Sequence, residues 1–135
     1  MSRRGSVALE FALSLSLLWL LLYNGFRFGY SIYAYESLLN AVAGAARYAA
    51  RTDYDATFAT RVSNMAVYGT PAGGGSPLAP QLDPRNVSVV PTPATGVPLT
   101  ITVSIINYPL KPGFQSLSWS GKPSVTVRYA GSYKS

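Results

Sequence analysis

From Gly5 to Phe26 the chain is apolar or small and uncharged at nearly every position, and its one charged side chain is Glu10. As a helix this run is about 30 Å long, the thickness of a bilayer's hydrocarbon core. Trp19, Tyr23, Phe26, Phe28 and Tyr30 gather toward its far end, as an interfacial aromatic belt does. Arg3 and Arg4 precede it, so the positive-inside rule predicts a cytoplasmic N-terminus, with everything after Tyr23 outside. A cleaved secretory signal is the competing reading. Tyr23-Asn24-Gly25-Phe26-Arg27 offers no small-x-small cleavage site and the helical pattern runs on, so a retained transmembrane helix over 6–28 is predicted.

A second periodicity follows. Phe28, Ile32, Tyr35, Leu39, Val42, Ala46 and Ala49 alternate four- and three-residue steps and share one helix face. Ala34, Leu38, Ala41, Ala45 and Tyr48 widen that face, while Glu36, Asn40, Gly44, Arg47 and Arg51 fall opposite. One helix from about Ser6 to Arg51 is predicted, half in lipid and half the spine of an outer domain at 29–135. The stripe is too short and alanine-rich for a coiled coil, and an intramolecular seam with Ile32, Leu39, Val42 and Ala46 buried is expected. Gly25 and Gly29 form a small-xxx-small pair at the membrane exit. They serve either close approach of two helix backbones or a flexible joint.

Thr52-Asp53 reads as a cap for a second helix over 53–68, with Tyr54, Phe58, Val62 and Met65 on its inner face and Gly69 ending it. The stretch 69–85 is a loop rich in Gly and Pro. Its three consecutive glycines, Gly73 to Gly75, lack the Gly-Lys-Ser/Thr and the strand–helix context of a phosphate cradle. Strands are predicted at 86–90, 99–105 and 124–129, with Leu99, Ile101, Val103 and Ile105 on one face. Pro112-Gly113 marks a turn before the last strand. Phe114, Leu117 and Trp119 in that connection are expected to close over the sheet edge rather than form a docking patch. Asn86-Val87-Ser88 matches a glycosylation acceptor, but a strand is a poor place for one. The predicted fold is α+β: a long N-terminal transmembrane-plus-spine helix, a short second helix, and a small antiparallel sheet of about three strands packed on the helix.

With 135 residues the chain has room for one small domain beyond the membrane run. Its net charge of +6 reads as surface charge. Without cysteine, no disulfide staples the outer domain, which must rely on packing against its own helix or on assembly. The absence of His and Cys, with five scattered acids, points away from an enzyme, a metal site or a cofactor. No basic-aromatic cluster lies along one strand, so nucleic acid is not an expected partner.

Glu10 is the anomaly, because a carboxylate among leucines costs several kcal/mol unless it is neutralised or paired. Cleavage between Gly5 and Ser6 would give Ser6 a free α-ammonium one helical turn from Glu10. That amine, from its own chain or from a neighbouring helix, could satisfy the carboxylate.

Basic residues, a Gly and a Glu-Phe five residues on resemble the processing site of type IV prepilins. The whole of Arg4-Gly5-Ser6-Val7-Ala8-Leu9-Glu10-Phe11-Ala12-Leu13 resembles the start of TadE-like proteins, minor pilins or pseudopilins of the tight-adherence (Tad, or Flp) pilus system. The similarity continues in Phe28-Gly29, Leu38-Leu39-Asn40-Ala41, Ala45-Ala46-Arg47-Tyr48-Ala49 and Val67-Tyr68-Gly69. One departure is Leu13-Ser14-Leu15-Ser16-Leu17, where many members carry a Pro, so a less kinked helix is expected. The resemblance implies a leader at 1–5 removed by a prepilin peptidase between Gly5 and Ser6, and an assembly role for Glu10 and Phe11. It implies a single-pass protein of the bacterial inner membrane. The implied partners are the major Flp-type pilin, a sister minor pilin and the inner-membrane assembly platform. The alternative is a membrane-anchored module that captures a ligand or DNA and enters no filament.

Overall fold

A computed structural model describes residues 3–112 and 117–132, with side chains from Gly5 onward. Helix α1 (Arg3–Ala49) is continuous over 47 residues, a rod about 70 Å long. No proline interrupts it, and Gly25 and Gly29 are wound into it without a break. It ends two residues before Arg51 because the Ala50 carbonyl is turned out to accept the Ala130 N–H, while Arg51 and Thr52 both donate to Tyr48 O.

Helix α2 (Phe58–Tyr68) starts later than the 53–68 expected from the sequence. The groups that looked like its caps are engaged elsewhere. The Tyr54 N–H donates to Ser132 O at 2.9 Å, the Ser132 hydroxyl donates to the Asp53 carboxylate, and Asp55 accepts both the N–H and the hydroxyl of Thr57. The chain therefore turns before it winds. Gly69 does end α2, in the left-handed conformation at φ +73° with its N–H on Met65 O. The loop that follows is packed at its far end, with Ala79 and Leu82 buried.

Three antiparallel strands, β1 (Val87–Thr92), β2 (Thr100–Ile105) and β5 (Ser124–Arg128), pair in the order β1-β2-β5. β1 runs through Pro91, which sequence reading places just beyond the strand. An edge strand accepts a residue without an N–H. Ile101, Val103 and Ile105 of the central strand are fully buried, whereas Leu99 lies before it and is exposed. Thr102 and Thr126, directly paired, join hydroxyls across the solvent face at 2.9 Å. Helix α1 covers β2 and β5, and α2 covers β1.

The seam on α1 is rotated from the expected one. Val42, Ala46 and Ala49 of the expected stripe are buried, as are Ala34, Leu38, Ala41 and Ala45 beside it, but Phe28, Ile32, Tyr35 and Leu39, also expected there, are exposed. Small residues let the sheet and α2 come close to the helix axis, so the alanine row sits under the sheet and the bulkier row is left outside. After Tyr129, Gly131 passes so near the helix connection that a Cβ there would meet Thr52 O at 2.4 Å.

A second ladder, β3 (Tyr108–Leu110) with β4 (Leu117–Trp119), fills the connection between β2 and β5 and was not foreseen. Trp119 packs edge-on against Tyr35 of α1, with ring centres 5.6 Å apart, and tilted against Tyr108 at 6.4 Å. The excursion thus closes over the helix rather than the sheet edge. Leu117 is exposed, and Gly113 and Phe114 lie outside the described residues.

Tyr108 is buried, with its hydroxyl donating to Pro80 O. Burial, with Tyr30 nearby as the lesser cause, pushes its phenol up to about 12. An unfolded tyrosine releases its proton near pH 10, about two pH units lower. The folded state therefore holds the proton more tightly, and this stabilisation is complete below about pH 10 and lost as pH rises toward 12. Burial raises Tyr129 too, with the same sign. The urea midpoint of the detergent-solubilised chain should fall across that window, and Tyr108→Phe should remove most of the slope.

Candidate functional site

The residues singled out at the N-terminus lie on the half of α1 that leaves the folded domain. Every residue from Gly5 to Leu22 is exposed, including Phe11, Leu13, Leu17 and Trp19. This is the one segment among the described residues long and apolar enough to cross a membrane, with a mean hydropathy of 1.9 and none of that window buried. A rod of exposed leucines in water would be an aggregation site, so lipid or other helices must cover it.

Most polar side chains along the rod are satisfied by the helix itself. Ser16 donates to Ala12 O and Asn24 to Leu20 O, both at 2.8 Å, and Ser31 to Arg27 O at 2.9 Å. Glu10 is different. A carboxylate can only accept, helix carbonyls offer it nothing, and among the described side chains, from Gly5 onward, none donates to it.

Helical winding puts Ser6 and Glu10 one turn apart on one face. Helix side chains lean toward the N-terminus, so the Glu10 carboxylate leans toward Ser6. The Gly5–Ser6 bond sits in the first turn, where the leading N–H groups lack intrahelical partners and unwinding is least costly. Phe11 projects outward beside Glu10. Gly25 and Gly29 share a face one turn apart, and a Cβ built on either meets nothing within 4 Å, leaving backbone open to a neighbouring helix.

The remaining acids are dispersed. Asp55 pairs with Arg61 at 2.8 Å, and the Thr57 hydroxyl, chiefly, holds its carboxyl below the usual range. Asp83 caps a 3-10 turn at Pro84–Asn86, and Arg85 lowers it in the same way. Asn86, of the glycosylation-like triplet, donates to Ile106 O and Asn107 O. Among the described residues no three His, Cys, Asp or Glu side chains converge where a metal ion could be held.

Sequence reading missed Arg27. Its Nε donates to the Pro112 carbonyl at 3.1 Å, tying the β3–β4 excursion to the helix just past the apolar run, and its guanidinium lies 5.7 Å from the centre of the Tyr23 ring. The available signal was position: Arg27 is the first charge after Glu10.

Residues 5–47 match the family described as TadE-like protein. The match covers the apolar run, Glu10 and most of the spine. No curated protein and no solved structure matches the chain.

Proposed function

We propose that this chain, TadE-like over residues 5–47 and so associated with a Tad pilus system, is a minor pilin or pseudopilin that works by assembly rather than catalysis. The observation that carries this reading is the bare apolar rod with one carboxylate, Glu10, a turn beyond the Gly5–Ser6 bond. In the inner membrane the rod spans the bilayer, with the N-terminus cytoplasmic and the α+β domain outside. A prepilin peptidase opens the first turn and removes residues 1–5. The new Ser6 ammonium then meets Glu10, and the helix joins those of the major Flp-type pilin and a sister minor pilin on the assembly platform. Gly25 and Gly29 admit the neighbouring backbone.

The test is the mature chain itself. In its native host the intact mass should correspond to a protein beginning at Ser6, and deletion should abolish surface pili. A mature protein that still begins at Met1 would count against processing. Normal piliation with lost ligand or DNA uptake would transfer the chain to the class of membrane-anchored capture modules.

A further inference from the structure

The two edges of the three-stranded sheet differ. In an antiparallel pair, the main-chain groups of successive residues point alternately toward the neighbouring strand and away from it. On β1, Asn86 O accepts the Ile106 N–H, which sets Ser88, Val90 and Thr92 toward β2 and turns Val87, Val89 and Pro91 outward. That edge is largely closed: the Val87 N–H donates to Pro84 O, and Pro91 has no N–H to offer. On β5, the Tyr129 N–H donates to Leu99 O and Pro123 O accepts from Ile105. Val125 and Val127 therefore bond β2, and Ser124, Thr126 and Arg128 face outward. Among the described residues nothing bonds the outward main chain of β5.

Packing leaves the same edge unfinished. Val125 and Val127 face the helix layer, paired with fully buried Val103 and Ile101, yet are themselves only half-buried. On α1, α2 takes the flank of Gly44 and Tyr48, where Met65 adjoins them. Exposed Leu39 is on the opposite flank, the side of β5. On the solvent face, Arg128 is exposed and pairs with no carboxylate among the described residues. A charge on an edge deters a like strand and admits one of opposite charge.

We propose that the β5 edge is a strand-addition site, filled by an extended segment of a different protein. The added strand bonds the main chain of Ser124, Thr126 and Arg128, lays apolar side chains beside Val125 and Val127, and presents a carboxylate to Arg128. A second copy of this chain does not fit. Antiparallel pairing of β5 with β5 needs a twofold axis normal to the sheet, which reverses α1 on the sheet face, so the two helices could not enter one bilayer in the same sense. Pairing of β5 with the β1 edge of another copy meets Pro91 and the occupied Val87 N–H. The first of these exclusions rests on the reading of residues 6–28 as membrane-spanning; the open edge does not.

The test has two arms. In the detergent-solubilised full chain, hydrogen exchange should be fast at the Thr126 amide and slow at Val125 and Val127. A protected Thr126 amide would show the edge already covered and overturn the proposal. In the native host, at low expression, p-benzoylphenylalanine in place of Ser124 should cross-link one discrete partner protein, and in place of exposed Val90 on β1 should not. Thr126→Pro closes β5 as Pro91 closes β1, and should lower the yield about fivefold, the effect of one lost main-chain hydrogen bond. Thr126→Val keeps the N–H, gives up only the hydroxyl contact with Thr102, and should leave the yield unchanged. Arg128→Glu alters no main-chain group and should lower the yield about threefold, which keeps the test decisive if Thr126→Pro fails to fold. No adduct at 124, an adduct with another copy of this chain, or a yield indifferent to both Thr126→Pro and Arg128→Glu would each overturn strand addition. A partner adduct with this dependence, in a host whose pili survive deletion of the protein, would leave the site standing and overturn the pilus reading instead.

Discussion

Leu38→Asp should unfold the outer domain, while Leu39→Asp, one residue along, should leave it folded. Leu38 is fully buried in the seam between α1, α2 and the sheet; Leu39 is 40% exposed and points away from it. No buried charged side chain lies among the described residues to receive the new carboxylate. An unpaired charge there costs several kcal/mol, comparable to the whole stability of a small domain. Leu38→Ala should cost about 3 kcal/mol through lost burial and a residual cavity. Leu39→Asp gives up some exposed apolar area and about half a kcal/mol of helix propensity. The measurement is urea unfolding of the detergent-solubilised chain, followed by Trp119 fluorescence in a Trp19→Phe background. Trp119 reports the fold because it packs against Tyr35 and Tyr108. Equal loss of stability at 38 and 39 would place Leu39 in the core and contradict the seam.

That pair also locates the limit of reading helix faces by hydrophobicity. The period of α1 was legible, as was the existence of one long helix, because spacing alone determines which residues share a face. Which of two adjacent faces meets the sheet depends on approach distance. Alanines score as weakly hydrophobic, yet they are what lets backbones come close, so the bulky row of Phe28, Ile32 and Leu39 drew the assignment and the alanine row took the seam. The alternating run at 99–105 needed no such choice, and its buried residues Ile101, Val103 and Ile105 match the pattern. The late start of α2 was not legible because it depends on Ser132, which arrives from the far end of the chain to occupy Asp53 and Tyr54. The β3–β4 ladder was hidden for a local reason. Tyr108-Pro109-Leu110 is too short to show alternation and carries a Pro that argues against a strand.

The candidate site divides along the same line. Gly5, Ser6, Glu10 and Phe11 are close in sequence, and helical winding alone sets their relation. The Arg27–Pro112 tether joins positions 85 residues apart and could be read only from the folded chain. With it, the spine and the hairpin are joined just past the apolar run.

Glu10→Val should leave membrane insertion and processing at Gly5 largely intact and reduce both association with other pilins and the number of surface pili. If Glu10 merely sat in wet headgroups, valine would be harmless or would favour insertion, since an apolar residue suits the run from Val7 to Leu22. Pairing with the Ser6 amine of its own chain, one turn away on a helix end, is worth only a few tenths of a kcal/mol. Pairing with the amine of a neighbouring chain is different. In lipid the two charges are shielded from water and salt, and removing one strands the other at a cost of several kcal/mol. Glu10→Gln should be intermediate, keeping a hydrogen bond without the charge. Co-purification of tagged pilins from membranes, with counts of surface pili, reads both effects. Wild-type association and pilus number in Glu10→Val would sink the intersubunit pair, whereas lost pili with normal processing and insertion would place the defect at assembly.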